Sequence, residues 1–255
     1  MHFVRPFNFA QARETGFPGY SAQFLSSQES GLVIGSWIEP GGCGPRLHYH
    51  LNDQSYFLVH GEMKVQIGDV VHDVSAGSFV HIPQGVAHRN WNDSSGQEFH
   101  IELIIPAPLP GTPLMYPVDT PGEAPGSDAA GFVLSTRDDF IVPDREPNIE
   151  VRPLLHNERS VINVTRMAPG AKGPGTHIHE FDQYYIVLEG VLQIQVALER
   201  YEAPAGSLVL LPAGVPHQEW NDGPGVERHV EVLSPAPREG MVWDRGVDFS
   251  FKGVQ

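Results

Sequence analysis

One unit of sequence occurs twice in this chain, and the two copies keep the same internal spacing. The segment "RLHYHLNDQSYFLVHG" matches "GTHIHEFDQYYIVLEG" further along the chain. The separation is constant, since 177 − 48 = 129 and 217 − 88 = 129. A repeat of this kind predicts two copies of one structural unit. The matched pairs include His48 and His177, His50 and His179, Gln54 and Gln183, Gly61 and Gly190, and His88 and His217.

The match continues through the rest of each copy without a gap. "GSFVHIPQGVAHRNWND" corresponds to "GSLVLLPAGVPHQEWND", and "FHIELIIPAP" corresponds to "RHVEVLSPAP". Between the copies the sequence is rich in Pro, Gly and small residues, which do not hold a regular element and are typical of a linker. We therefore predict a first domain at 1–116, a linker at 117–130 and a second domain at 131–255.

Within each copy the residue pattern favours strands over helices. Segments such as "SYFLVHGEMKVQIGD" and "YYIVLEGVLQIQVAL" are rich in β-branched and aromatic residues, with glycines between the runs. The chain holds 27 Gly and 23 Pro, which suits many short strands joined by turns. The pattern predicts an all-β fold, an antiparallel sandwich or small barrel in each copy.

Charge and composition narrow the classes of partner. The formal net charge of −15 argues against nucleic acid and anionic membranes, because both are polyanions. Cys43 is the single cysteine, so no intrachain disulfide can form and a metal would need N and O ligands. The N-terminus lacks the pattern of a signal peptide, and no apolar stretch approaches the roughly 20 residues that span a bilayer. We expect a cytoplasmic protein that binds neither nucleic acid nor membrane.

The His-x-His pair of each copy indicates a metal site. Residues i and i+2 of a strand lie on one face, so His48 and His50 share a face, and Arg46 lies on it too. Gln54 follows a short corner, and a Pro/Gly turn in "PQGVAH" could bring His88 to the same cavity. A lone His-x-His is more often a pair of ordinary polar residues. A four-residue set that recurs at identical spacing favours a divalent transition metal such as Fe, Mn, Co, Ni, Cu or Zn.

These segments resemble the two motifs of the cupin superfamily. "GPRLHYHLNDQSYFLVHG" is similar to the first motif, and "GSFVHIPQGVAHRNWN" is similar to the second; both occur again in the second copy. The resemblance implies a bicupin, with two double-stranded β-helix (jelly-roll) barrels from an internal duplication. It implies up to two metals per chain, held by His48, His50, Gln54 and His88 and by His177, His179, Gln183 and His217.

Glutamine stands in both copies where the cupin motif usually has glutamate. A neutral amide oxygen cancels no metal charge and cannot act as a base, so the site would keep a full +2 charge and favour an anionic ligand. The alternative is that glutamine is a tolerated near-isostere with weaker metal binding. Sites with three histidines and one glutamine occur in some quercetinase-like bicupins, in a bicupin isomerase of bacilysin-type synthesis and in small cupin hydroxynitrile lyases.

The loss of glutamate requires another base, and four residues of the first copy are candidates. Tyr56 lies two residues beyond Gln54 and should share its face. His100 and Glu102 alternate along the last strand, where they would be a base or a partner of a ligand if they face inward, and surface residues if they face outward. Arg46, opposite Gly175 in the repeat, could bind a substrate carboxylate or form an outward ion pair.

The sequence therefore predicts a metal-dependent dioxygenase that acts on a small aromatic or enolisable anionic substrate. Two alternatives stay open: an oxygen-independent isomerase or lyase of a keto or enol acid, and a non-catalytic metal-binding or ligand-binding cupin. The expected partner is a small anionic or metal-chelating molecule, and a homodimer is possible. Which copy is active does not follow from the sequence.

Overall fold

The fold is built almost entirely from short antiparallel strands. The computed structural model describes residues 3–143 and 148–248, and within these ranges it has two short 3-10 helices (Phe9–Gln11 and Pro121–Glu123) and no α-helix. None of the helices in the described ranges has the length and apolar character needed to cross a bilayer. The strands of the first half are β1 (Val4–Pro6), β2 (Arg13–Glu14), β3 (Tyr20–Gln28), β4 (Gly31–Ile38), β5 (His48–Tyr49), β6 (Asp53–His60), β7 (Glu62–Ile67), β8 (Val70–Ser75), β9 (Ser78–Ile82), β10 (His88–Trp91), β11 (Glu98–Ile105), β12 (Tyr116–Pro117) and β13 (Phe132–Ser135). The strands of the second half are β14 (Ile149–His156), β15 (Val161–Met167), β16 (His177–Ile178), β17 (Asp182–Glu189), β18 (Val191–Val196), β19 (Glu199–Pro204), β20 (Ser207–Leu211), β21 (His217–Trp220), β22 (Glu227–Ser234) and β23 (Arg245–Gly246).

The chain forms two compact units. The first unit is Phe7–Asp138, and the second contains the residues from Asp139 onward together with β1. In the first unit β13 pairs with β9, and in the second β1 pairs with β20. Ala124, inside the predicted linker, is buried in the first unit in one apolar cluster with Leu47. The boundaries 1–116, 117–130 and 131–255 stay a prediction of how far each copy extends.

Each unit consists of two antiparallel sheets. The first unit has a seven-stranded sheet in the order β13-β9-β6-β11-β4-β3-β2 and a five-stranded sheet in the order β12-β5-β10-β7-β8. The second unit has a six-stranded sheet, β1-β20-β17-β22-β15-β14, and a five-stranded sheet, β19-β18-β21-β16-β23. The matching strands occupy matching places, with β6 central beside β11 and β17 central beside β22. This confirms the predicted all-β fold with two jelly-roll units.

The core of each unit lies between its two sheets. In β7 the residues alternate, so that Met63, Val65 and Ile67 are buried while their neighbours are more exposed. These three side chains pack against Tyr56 and other residues of the facing sheet in one cluster. In the second unit β18 repeats the alternation, and its buried residues pack against Tyr185 and others. Burying the apolar face of each strand in this way fixes the register of the sheets.

The conserved spacing of the repeat includes a glycine that the backbone requires. Gly61 and Gly190 each connect two strands with a positive φ, +78° and +74°. A Cβ atom at Gly61 would lie 2.7 Å from the carbonyl oxygen of Gln97, and one at Gly190 would lie 2.9 Å from that of Val226. Both the conformation and the close approach exclude a side chain, so this turn sets how the two sheets are joined.

Candidate metal centres

Three histidines of the first unit meet where two short strands pair. His48 begins β5 and His88 begins β10, and the two residues are direct partners across the pair. His50 lies two residues after His48, on the same side of the chain. The ring centroids are 4.9 Å (His48–His50), 4.4 Å (His48–His88) and 5.0 Å (His50–His88) apart. One nitrogen of each ring lies within 4.8 Å of the others. Nitrogens bound to one tetrahedral zinc-like ion at about 2.0–2.1 Å lie about 3.4 Å apart, so an ion between the rings would draw their nitrogens together.

The second unit repeats this arrangement. His177 and His217 are direct partners between β16 and β21. The corresponding centroid distances are 4.7 Å, 4.4 Å and 4.9 Å. All six rings are buried. The duplication has therefore kept the positions of the side chains as well as the sequence pattern.

A backbone carbonyl fixes the protonation of every one of these rings. A carbonyl oxygen can only accept, so each Nδ1 must carry the hydrogen and each Nε2 keeps its lone pair, which is the tautomer a metal ligand needs. The Leu114 and Trp243 carbonyls, from the segments that follow each cluster, accept from His50 and His179. The six Nδ1–oxygen distances are 2.8 Å (His48–Arg46), 2.5 Å (His50–Leu114), 2.9 Å (His88–Val86), 2.8 Å (His177–Gly175), 2.7 Å (His179–Trp243) and 2.9 Å (His217–Val215).

The inward nitrogens have the properties of ligands. The Nε2 atoms of His50, His88 and His217 are buried without a hydrogen-bond partner. The Nε2 atoms of His177 and His179 face one another at 3.2 Å, although both carry a lone pair. One cation in each unit would satisfy the inward nitrogens of that unit. The residues present therefore fit a divalent metal in each unit.

Burial keeps the rings of His48, His88 and His217 neutral. Burial and the nearby His50 ring lower the pKa of His48 to about 4, although its backbone hydrogen bond opposes the change. Burial and the neighbouring histidines likewise lower the pKa of His217 to about 3. The pKa of His88 falls well below its usual value for the same reasons. At neutral pH these three rings need not lose a proton to accept an ion.

A carboxylate, buried in the first unit and half-buried in the second, orients the amide of each predicted glutamine ligand. The Gln54 Nε2 donates to Glu102 at 2.9 Å, and the Gln183 Nε2 donates to Glu231 at 2.7 Å. Since a carboxylate only accepts, the NH₂ group must face it, and the amide oxygen points the other way. In the second unit that oxygen lies 3.1 Å from the His179 Nε2. The amide oxygen is thus held as the fourth donor atom, beside the three histidine nitrogens.

Glu102 is itself held by a network of donors. It accepts hydrogen bonds from Tyr20 at 2.5 Å and Ser36 at 2.6 Å, and its carboxylate lies 3.3 Å from the His100 Nε2. The other nitrogen of His100 lies 2.8 Å from Glu98. Burial alone would raise the pKa of Glu102, but the bond and charge of His100, with Ser36 and Tyr20, lower it to about 2. Burial alone would lower the pKa of His100, but the two carboxylates raise it to about 10.

Of the four other predicted residues, two line a cavity at the first histidine cluster and two do not. Tyr56 and Glu102 line a cavity at the histidine cluster, and the Tyr56 hydroxyl donates to the Gln54 amide oxygen at 3.1 Å. His100 faces inward but is fully enclosed behind Glu102. Arg46 is exposed, lies 3.9 Å from Asp119 and is not among the residues that line the cavity.

Comparison with known proteins identifies the family. The sequence model of the cupin domain matches residues 37–105 and 163–232, which together exceed half of the chain. The chain belongs to the cupin family. The two matches, one in each unit, make it a bicupin, as the motifs predicted.

This bicupin is similar to one curated protein in sequence and to several solved structures in fold. An uncharacterized protein of Streptomyces coelicolor is 30% identical over 79 residues, 31% of this chain and 73% of that protein. A putative glyoxylate-induced protein from Pseudomonas aeruginosa is similar in structure, with a TM-score of 0.73 and 19% identity over 94% of this chain and 91% of the other. A variant of oxalate decarboxylase from Bacillus subtilis has a TM-score of 0.67 and 15% identity over 92% and 78%. Identities this low show a shared fold alone.

The two centres of the bicupin differ in the space beside them. The first centre opens on a cavity of about 780 Å³, and the second on one of about 170 Å³. Pockets for small molecules usually measure about 300–1,000 Å³. The smaller cavity holds only about five or six waters at ~30 Å³ each. Of the two cavities that the described residues form at these centres, the first alone falls in this range.

Substitutions between the copies also change the chemistry of the cavity lining. Asp244 lies 3.8 Å from the His177 Nε2 and lines the small cavity, whereas residue 244 − 129 = 115 is Met115. Tyr20, which lines the large cavity, corresponds to Ile149 in the second copy. Sequence reasoning missed Tyr20 and Asp244, as well as the two carbonyls that hold His50 and His179, because these residues do not match across the repeat.

Proposed function

We propose that this bicupin is a metal-dependent enzyme whose first centre activates a small aromatic or enolisable anionic substrate, with oxygen as co-substrate, as in a dioxygenase. The supporting observation is a three-histidine, one-glutamine centre that opens on a cavity of about 780 Å³. Its donors suit Fe, Mn, Ni, Co, Cu or Zn. Cytoplasmic location and homodimer formation stay predictions.

The charge of the donors supports an anionic substrate. The three imidazoles are neutral, and the Gln54 amide adds no charge. When bound, a divalent ion supplies Lewis-acid chemistry at the end of the cavity. A carboxylate, an enolate or a bidentate keto acid is the chemical class that a centre with an uncompensated +2 charge would favour.

The chain's own residues at this end hold and move protons. Tyr20 and Tyr56 place hydroxyl groups at the cavity, and the Tyr20 hydroxyl donates a hydrogen bond to Glu102. We propose that Tyr56 exchanges a proton with the substrate and that Glu102, whose pKa of about 2 makes it a weak base, holds Gln54 and Tyr20 in position. His100 touches no substrate in this arrangement and acts as a positioning residue that keeps Glu102 in place.

An oxygen-independent isomerase or lyase is the second candidate. Its support is the structural similarity to oxalate decarboxylase of Bacillus subtilis, a protein studied for its Mn(II) centres. Neither the neutral donor set nor the cavity requires oxygen. A non-catalytic role in ligand binding is the third possibility, and the same experiment separates all three.

The test is oxygen uptake by the metal-loaded protein with a panel of catechols, flavonols and β-diketones. A dioxygenase consumes one O₂ per substrate, and turnover stops in an anaerobic chamber. Turnover that continues unchanged without oxygen would contradict the dioxygenase and favour the isomerase or lyase. Saturable binding of a panel member without any turnover would favour the non-catalytic role.

A further inference from the structure

The large cavity has a single cationic side chain at its rim. Among the described residues that line it, Arg13 is the one lysine or arginine. Arg13 belongs to the edge strand β2, is exposed and has no ion-pair partner within the part of the chain that the structure describes. Gln11 and Gln23 beside it bond to each other at 3.0 Å. In a chain with a net charge of −15, an unpaired arginine at a cavity is a local exception that favours an anion.

The wall between this rim and the histidine cluster is largely apolar. Phe17, Ile34, Ile104, Leu114 and Met115 line the cavity, which also reaches Gln54 and two of the histidines. The cavity thus has a metal-binding end, an apolar middle and a cationic rim. A ligand that satisfies all three parts has two polar ends and an apolar body between them.

We propose that the first cavity binds an organic acid with two anionic groups, a chelating enolate or keto group at the histidine cluster and a carboxylate at Arg13, joined by an apolar or aromatic body. The proposal rests on the proposed function, since it assumes that one end of the substrate binds at the first centre. It also assigns the role predicted for Arg46 to a different arginine.

The part of the second unit that the structure describes has no arginine at the corresponding place. In the first unit Arg13 pairs with Ala22, and in the second Ile141 pairs with Val151, the counterpart of Ala22 because 22 + 129 = 151. An exposed apolar residue therefore occupies the place of the arginine. The cavity of the second unit is also the smaller one. We therefore predict that a second anionic group is recognised in the first unit.

Glu14 supplies an opposite charge on the same rim. It follows Arg13 in β2 and also lines the cavity. If a carboxylate binds here, removal of the Glu14 charge should strengthen its binding while removal of the Arg13 charge weakens it. The two neighbouring residues therefore give effects of opposite sign, which loss of folding would not produce.

The experiment compares two probes on the metal-loaded full chain by titration calorimetry. The first is 1-phenylbutane-1,3-dione, an enolisable chelator, and the second carries an added carboxylate at the para position of its ring. We expect the wild type to bind the carboxylate probe at least tenfold more tightly than the neutral one. R13Q should reduce this preference to less than threefold, E14Q should increase it, and R46Q, the control arginine outside the cavity, should leave it unchanged.

The proposal can be contradicted in two ways that the experiment distinguishes. Equal binding of both probes by the wild type, or an undiminished preference in R13Q, would overturn the role of Arg13 and leave the proposed function intact. Failure of both probes to bind the metal-loaded chain would contradict the proposed function and this inference with it.

Discussion

Gln54 shows how a single neutral residue can define a metal centre. Its NH₂ group is fixed on the Glu102 carboxylate, so its oxygen faces the histidines. The motif usually places a carboxylate there, and the amide instead leaves the charge of an ion uncompensated. The negative charge is still present, but it lies one hydrogen bond further away, on Glu102.

Restoring the usual carboxylate should weaken anion binding. In Gln54→Glu the added charge at the centre opposes an anionic ligand and faces Glu102, so we expect at least a tenfold loss of affinity for 1-phenylbutane-1,3-dione. Calorimetry on the metal-loaded protein measures this, and Gln183→Glu in the second unit is the control. Unchanged affinity in Gln54→Glu would show that the amide is only a spacer.

Releasing the amide should weaken metal binding. Glu102→Gln replaces an acceptor-only carboxylate with an amide that can present either its oxygen or its NH₂ group, so Gln54 is no longer held in one orientation. We expect a 10–100-fold loss of metal affinity, the range typical for residues that hold a ligand in place. Competition with a chelator measures this affinity. Glu98→Gln is the matched control, because Glu98 contacts His100 but not Gln54. Equal losses in both variants would mean that the buried charge matters and the orientation does not.

At the scale of elements, β11 and β22 carry the same pattern, Glu-x-His-x-Glu, whose Glu and His residues are all buried in β11, while the last of them is half-buried in β22. Glu98, His100 and Glu102 lie on one face of β11, and Glu227, His229 and Glu231 match them on β22. Burial alone would lower the pKa of His229, but Glu227 and its neighbours raise it, as in the first unit. The first unit therefore buries a protonated imidazole between two carboxylates, and in the second unit the His229 Nδ1 lies 2.9 Å from Glu227.

This strand pattern predicts that stability falls in alkaline solution. The folded pKa of His100 is about 10, above the ordinary 6.5, so its contribution is complete below pH 6.5 and is lost as the pH rises through 10. The Glu102 contribution is present at all pH values above 4.5 and stays constant in this window. We expect the free energy of unfolding to drop by a few kcal/mol, roughly, between pH 6.5 and 10.

Urea unfolding of the metal-free protein at pH 6.5, 8 and 10 measures this drop. In Glu98→Gln one source of the raised pKa of His100 is gone, so the slope with pH should be smaller than in the wild type. A free energy that is constant or increases over this range would contradict the assignment of buried, protonated imidazoles.

Some elements of the site were predictable from the sequence and others were not. The strand alternation and the constant offset predicted the all-β units, and they pointed to His48, His50 and His88 as one group. Leu114 and Trp243 contribute only backbone oxygens, so their side chains carry no signal. Arg13 and Tyr20 precede the repeated motifs, and their local sequence gives no sign that they line the cavity.

At the scale of the whole molecule, duplication produced two centres with the same donors and different surroundings. The space beside them, about 780 Å³ against about 170 Å³, supports the proposal that a substrate binds in the first unit. The second unit keeps its histidines and its oriented glutamine. A metal there would contribute to the stability of that unit, since an ion that binds only the folded state stabilises it.

Paired removal of histidines should separate these roles. The double variant of His48→Ala and His88→Ala should lose turnover at least a hundredfold. The double variant of His177→Ala and His217→Ala should keep turnover within a few fold but unfold at a lower temperature in the presence of metal. Initial rates and thermal unfolding measure both effects. Equal loss of turnover in the two variants would contradict the division between units.

The central claim is that both units hold a metal, and metal content tests it most directly. Elemental analysis of the chain, purified and then reconstituted with Fe, Mn, Ni, Co, Cu or Zn, should give two equivalents for the wild type and one for each double variant. A chain that takes up none of these metals, with an unfolding temperature unmoved by their addition, would contradict the account.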